Sequence, residues 1–417
     1  MSVYENILKN FQEFDAFLCG CKENDKKDLQ CLKMMYAIHM ENNRGKIGIV
    51  EYLKQTVRFL IKFMSIPFVQ IRLKNVESSN KIAIVKNTAI ENRFSKKYGI
   101  VEVEFQRFFS FNSSTIGMYI RVIQLISILF KNDILNKRYI FLLLHRLIDY
   151  LMVLKTVEIG SLKVLLVEND RTPYNLGLIH LFQKRNLKTI KYDNWLIDSI
   201  NHNDIYCDIY FYPSLYHKGV IQSFAFNKNL QYVKGGFISW DKLSGYKLQH
   251  SGEEIIVSYF TQFGIDFNVH LNYISDIEHI LDARAEKFTI HVKIHPRESV
   301  QKYASLLKNQ NIVLHTSIDN YELISRSNFC FSVFSTISLE AKHINPHSYF
   351  INYHAKDYKI VNYEKLGLDL LDTKEKLREV LSNEYAPIDS KKFIKDQNCT
   401  YSDSSDKLYS LAMGYTE

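Results

Sequence analysis

Short β-branched runs alternate with longer amphipathic segments along most of the chain, and no other feature limits its fold so strongly. KIAIV (81–85) and EVEFQRFF (102–109) read as strands, followed by helical stretches at 116–130 and 139–157. LKVLLV, TIKYD (189–193), IYCDIYFYP (205–213) and LQYVKGGFI (230–238) continue the strand series. Between the first two of these, LGLIHLFQKRN reads as a helix that packs through Leu176, Ile179, Leu181 and Phe182. A second series begins near 250 with EEIIVSYFTQ, FTIHVKIHP (288–296), NIVLHT, FCFSVFS and SYFINY (348–353) as strands. ISDIEHILDARAE, ESVQKYASLLKNQ, NYELISRSN and TISLEAKHIN are the helices between them. Strands that alternate with helices imply parallel sheets covered on both faces.

Two such series, separated by a polar break at WDKLSGYKLQHSG (240–252), predict an α/β protein of two Rossmann-like, doubly wound domains facing a cleft. Residues 1–245 form the first domain with a helical N-terminal segment, and 246–417 the second with C-terminal helices. The tail from about 364 is expected to be helical and to brace the first domain. Residues 1–75 read as helical and basic. Within 46–64, Ile49, Val50, Leu53, Val57, Leu60, Ile61 and Met64 form one apolar stripe, with Lys54, Arg58 and Lys62 on another face. That pattern suits a helix on an anionic membrane surface, or a helix packed on a core.

The chain is 417 residues long, 46% apolar and 24% charged, which excludes a disordered or fibrous protein. Its net charge of +8 fits an anionic substrate, an anionic membrane or a solvated basic surface. The basic residues are scattered and no nucleic-acid motif occurs, so nucleic acid is not an expected partner. Cys19, Cys21 and Cys31 cluster, but with His39 they fit no zinc ligand frame, and reduced thiols in a cytosolic protein are expected. MSVYENILKNFQEF has neither the basic region nor the apolar run of a targeting signal. The most apolar stretches are too short, and too charged, to span a bilayer. A cytoplasmic location follows, with peripheral contact at the inner membrane left open.

Ligands of open α/β sheets bind beyond the carboxyl ends of the strands. Pro173, Pro213 and Pro296 stand near such ends. In KIHPRES, His295 closes an alternating strand and Pro296 forces a turn, so Arg297 and Glu298 would lead into a helix. An imidazole and a guanidinium at a helix N-terminus suit a phosphate; a capped strand with a satisfied histidine is the alternative. In FSVFSTISLEA, Ser335 and Thr336 open a helix and offer a second anion seat, or merely a local cap. Glu340, one turn on, is placed to accept bonds from a ribose diol. In VLLVENDRTPYN, Glu168, Asn169 and Asp170 follow a buried strand. A carboxylate there can take a proton from an acceptor hydroxyl, or cap the next helix.

An acidic turn at 168–170, then His295-Pro296, then Ser335-Thr336 resembles, in this order, bacterial sialyltransferases and polysialyltransferases of the GT-B fold. The resemblance spans roughly 160–355. It implies a glycosyltransferase with Glu168 or Asp170 as general base and His295 assisting departure of the nucleotide. Pro296, Arg297, Ser335, Thr336 and Glu340 would line the nucleotide-donor site. The implied donor is sialic acid or a related 2-keto acid sugar activated by cytidine monophosphate. The implied acceptor is a bacterial surface glycan such as capsule or lipooligosaccharide. No metal or other cofactor is implied, and no Asp-x-Asp occurs. Glu168-Asn169-Asp170 departs from the family's contiguous acidic pair followed by glycine. Wall teichoic acid glycerophosphotransferases and Kdo transferases look similar; the former carry a His-Gly turn where this chain has Asn194-Trp195. A non-catalytic nucleotide- or glycan-binding module of the same fold is the remaining alternative.

Overall fold

The computed structural model describes residues 49–384, with interruptions of which 110–115, 195–204 and 356–368 are the longest, and residues 387 and 403–416. The cysteine cluster with His39 lies outside the described residues.

The first domain opens with helix α1 (Ile49–Ser65), a 3-10 turn at Ile66–Phe68 and strand β1 (Val69–Lys74). Then follow β2 (Ile82–Val85), α2 (Ala89–Tyr98), β3 (Val101–Phe109), α3 (Ile116–Lys131) and α4 (Lys137–Thr156). β4 (Val164–Val167), α5 (Pro173–Lys184), β5 (Lys188–Tyr192), β6 (Ile209–Tyr212), α6 (Leu215–Phe224) and β7 (Gln231–Lys234) complete it. The strands form one sheet in the order β1-β3-β2-β4-β5-β6-β7. Among the described residues, only the β1–β3 edge pair of this sheet is antiparallel.

The second domain comprises β8 (Ile255–Phe260), α7 (Phe267–Asp282), β9 (Phe288–Lys293), α8 (Val300–Ala304), β10 (Ile312–His315) and α9 (Asn320–Arg326). It continues through β11 (Phe329–Ser332), α10 (Thr336–Ile344), β12 (Ser348–Ile351), β13 (Leu370–Leu371) and α11 (Lys374–Leu381). Its sheet, β10-β9-β8-β11-β12-β13, is parallel throughout. Helix α12 (Ser404–Met413) closes the described chain. Two doubly wound α/β domains joined by a short connection form the architecture that the sequence predicts.

Both faces of the first sheet are buried, as parallel strands require. The period of two sends Leu165 and Val167 of β4 to the face covered by α4. Val164 and Leu166 point the other way, into a cluster with Leu408 and Ala412 of α12. The closing helix therefore completes the core of the first domain, as expected for the tail. Tyr409 stacks on Tyr98 at 4.5 Å, and Tyr98 donates to Asp406 at 2.6 Å.

The connection between the domains is packed from its start. Gly235 follows β7 where a Cβ would fall 2.1 Å from the Phe211 ring. Ile238–Gly245 then forms a 3-10 segment in which Phe237 stacks on Trp240 at 4.1 Å, with Trp240 fully buried. Phe237, Trp240 and Leu243 belong to the core of the second domain, and Ile238 to that of the first. Asp241 accepts from the backbone N–H groups of Ser404 and Ser405, both at 2.8 Å. One carboxylate thus satisfies free donors at the α12 N-terminus and pins it to the connection.

Three local expectations change. Residues 69–74, read as helix, form edge strand β1: Pro67 lies in the 3-10 turn that ends α1, and VQIRLK alternates with period two. The helix expected over 298–310 is one short turn, α8. The apolar stripe of α1 does not face the core; Gln55 and Phe59 do.

Replacing Asp241 with Ala is expected to destabilise the protein by about 1–2 kcal/mol in chemical denaturation. Amide exchange should quicken in α12 before it does in β4. A rise confined to the second domain would contradict this packing.

Candidate functional site

The strand carboxyl ends collect the polar groups of both domains. In the first, β4 delivers Glu168, Asn169 and Asp170, and β5 delivers Asp193 and Asn194. The turn after β4 is held by Thr172, whose hydroxyl accepts from Asn175 N–H at 3.1 Å, and by Asn175, whose amide donates to Asn169 O at 2.5 Å. Lys191, on β5, is buried between two carboxylates: its ammonium lies 3.4 Å from Asp170 and 3.2 Å from Asp193. It also donates to Glu168 O at 2.7 Å. Asp170 is fully buried and further accepts from Tyr206 N–H at 3.2 Å. Glu168 is held differently. Its carboxylate accepts from the Asn194 amide at 2.9 Å, and Asn194 in turn accepts from Ser239 N–H at 3.3 Å.

In the second domain, Thr261 follows β8 and organises the turn after β9. Its hydroxyl accepts from His295 N–H at 2.8 Å and donates to Glu298. Tyr303 donates to the other oxygen of Glu298 at 3.1 Å. The turn closes with Glu298 N–H on His295 O at 2.9 Å. His295 and Arg297 therefore sit on a braced turn, and α8 begins only at Val300. The expected helix N-terminus beside His295 is absent: Arg297 N–H points to the imidazole Nδ1 at 3.2 Å. That bond leaves the proton of the neutral ring on Nε2. Burial pushes the imidazole below its ordinary pKa, with Arg297 adding to the effect and Glu298 opposing it. The ring is thus a neutral donor at pH 7. Phe263, which is exposed, stacks on His295 at 6.1 Å and carries the Arg297 guanidinium 5.5 Å above its ring. Pro296 is exposed beside them.

Ser335 caps α10 as expected, accepting from Ile337 N–H at 3.4 Å, and Thr336 is the first helical residue. Lys293, Phe260 and Ser332 form one row across β9, β8 and β11. The strands that lead to His295 and Ser335 thus end at the same edge, two strand spacings or roughly 10 Å apart. β8 ends between them.

Glu340, on α10, turns away from this pair toward the connection. It is almost wholly buried and accepts from Tyr321 hydroxyl at 2.5 Å. Burial pushes its carboxyl up to about 7; Tyr321, Lys242 and Trp240 oppose the rise. It lines a cavity of ≈ 400 Å³ with Tyr321 and Lys242, facing Arg93, Lys97 and Asn194 of the first domain. Asn194 therefore links the Glu168 turn to the cavity that Glu340 borders. Among the described residues, no group of three or more metal-ligating side chains gathers.

Lys191, Asp193, Thr261, Phe263 and Tyr321 escaped the motif reading. Lys191 sits in a strand that reads as apolar and β-forming, and nothing local marks it as an ion partner. Thr261 and Phe263 carried one available signal, their position just after a predicted strand.

No protein-family model matches the chain, and no curated protein matches it in sequence. Solved structures similar in overall arrangement include the wall teichoic acid polymerase TagF, with TM-score 0.48 and 13% identity over 89% of this chain and 98% of that chain. A putative UDP-N-acetylglucosamine 2-epimerase from Listeria monocytogenes gives 0.47 and 11%, over 80% and 95%. S. aureus MnaA with UDP gives 0.45 and 10%, over 79% and 95%.

Lys191→Met should cost about 3–5 kcal/mol, because it strands Asp170 and Asp193 as buried charges without their ammonium. Combining it with Asp170→Asn and Asp193→Asn should restore part of that loss. The Glu340 carboxyl binds its proton more tightly folded than unfolded, so its share of stability is present below about pH 4.5 and lost as pH rises through about 7. Glu340→Gln should flatten the stability profile across that window by roughly 3 kcal/mol. An unchanged slope in denaturation at successive pH values would remove Glu340 as its source.

Proposed function

We propose that the protein is a glycosyltransferase of GT-B type that moves a sugar from a nucleotide donor on the second domain to an acceptor on the first. One observation carries the reading. Asn194, which holds Glu168 at one carboxyl edge, and Glu340, just beyond the other, line the same inter-domain cavity. A group-transfer enzyme of two domains needs polar groups from both at one place.

Glu168 is the general base. Its carboxylate, buried like that of Asp170, is held by the Asn194 amide, whereas Asp170 is ion-paired to the Lys191 ammonium. As the acceptor hydroxyl attacks the anomeric carbon, its proton passes to Glu168, and the bond to the donor phosphate breaks. Negative charge then grows on the departing phosphate. The His295 Nε2–H, the Ser335 and Thr336 hydroxyls and the Arg297 guanidinium stabilise it, acting as fixed dipoles and charge that need no reorganisation.

The donor class is a 2-keto acid sugar on cytidine monophosphate, such as sialic acid, and the acceptor a bacterial surface glycan such as capsule or lipooligosaccharide. The order of the acidic, His-Pro and Ser-Thr turns supports this choice. Charge supports it too, since Arg297, Arg93, Lys97 and Lys242 suit an anionic donor.

Thermal unfolding in the presence of CMP, UDP, GDP and CDP-glycerol separates the donor classes. CMP should raise Tm, and turnover of CMP-sialic acid should follow. His295→Ala and Glu168→Gln should each lower kcat by at least about a hundredfold while leaving Tm without nucleotide within a few degrees. A failure of every nucleotide to stabilise the fold, or a near-normal rate in both variants, sinks the assignment.

A further inference from the structure

Helix α1 presents to solvent the residues that its sequence pattern marks as apolar. Leu53, Val57, Leu60, Ile61 and Met64 are between 51% and 69% exposed. At 100° per residue they fall within an arc of about 100°. The opposite side of α1 is occupied: Phe59 packs in the core, and Lys62 reaches Asp149 of α4 at 2.5 Å. The stripe extends onto α3, where Ile120 and Ile123 are 60% and 56% exposed. The two helices are tied at that end, with Phe63 packed edge-on against Tyr119 at 4.7 Å and Tyr119 hydroxyl donating to Met64 O at 3.4 Å. Soluble surfaces carry single apolar residues routinely, but a continuous patch over two helices marks an interaction site.

Charge selects the occupant. Residues 53–65 and 116–131 contain no Asp or Glu. Lys54 and Arg58 stand exposed along one border of the stripe. Asp149 of α4, packed against α1, faces inward to Lys62 and Arg107. A protein partner of ordinary surface meets a cationic rim with no particular advantage, whereas a bilayer with anionic headgroups offers apolar depth and negative charge in one plane. None of the helices among the described residues is long and apolar enough to cross a membrane, so the contact is with its surface.

We infer that the α1–α3 face docks on an anionic lipid bilayer, with the apolar stripe entering the headgroup boundary and Lys54 and Arg58 meeting lipid phosphates. The face connects to the candidate site through one network. Asp149 accepts from Tyr174 at 3.0 Å, and Tyr174 lies in the first turn of α5, directly after the Glu168–Asp170 turn. The inference stands on exposure and charge alone and does not depend on the transferase reading.

Co-sedimentation of the full chain with phosphatidylcholine vesicles, with and without phosphatidylglycerol, tests it. Binding should require phosphatidylglycerol and weaken with salt. The pair Lys54→Gln and Arg58→Gln should lower the partition constant about thirtyfold, at roughly one headgroup-strength interaction per residue. The pair Leu60→Gln and Ile61→Gln should abolish binding while leaving the unfolding curve unchanged, since both side chains are exposed. Equal binding to neutral vesicles, no binding to either, or binding unaffected by both pairs overturns the inference. So does self-association of the free protein, in sedimentation velocity, that Leu60→Gln and Ile61→Gln remove: the occupant is then a second copy.

Discussion

A parallel sheet buries both faces, and it has one edge where every strand ends. That constraint governs this molecule. Strands β2, β4, β6, β11 and β12 are buried along their whole length, so polar side chains are displaced into the turns that follow them. Because all carboxyl ends of one sheet lie together, those turns collect side by side. Glu168 and Asn194 meet because β4 and β5 are neighbours, although 26 positions separate them. His295 and Ser335 share an edge because β9 and β11 both flank β8.

The two domains are coupled through the connection as well as across the cavity. Trp240 is inserted into the second core, Ile238 into the first, and Asp241 secures the helix that returns to the first. A segment held at three points resists free rotation of the domains, and relative motion has to pivot about it. The cavity lined by Glu340, Lys242 and Asn194 abuts this pivot. Ionisation of Glu340 therefore places a charge beside the connection, where Lys242 is its charged neighbour.

Ion pairs divide the candidate site by role. Lys191, Asp170 and Asp193 lie out of water, so their attraction is strong and their exposure to an acceptor is nil. Their work is to set the β4 and β5 turns in one geometry. Glu168, at the same edge, accepts from the Asn194 amide. Two carboxylates of one acidic turn thus have different partners: Asn194 for Glu168, Lys191 and the Tyr206 N–H for Asp170.

Local pattern determined much of this protein. Period-two runs such as VLLV and period-3.6 runs such as LGLIHLF locate the strands and helices of both domains, and the chain-order alternation requires parallel sheets. It also located Ser335 as a cap and the turns at 168–170 and 295–298. Those features arise from contacts a few residues long, and a short window contains their cause. Strand order, the partnership of Lys191 with Asp170 and Asp193, the turning of Glu340 toward Tyr321 and Lys242, and the solvent-facing stripe of α1 were settled only by the tertiary structure. A hydrophobic stripe states that a face is apolar and leaves open what covers it. A carboxylate states its charge, and its depth and partners come from elements distant in the chain, because burial and ion pairing belong to the packed whole.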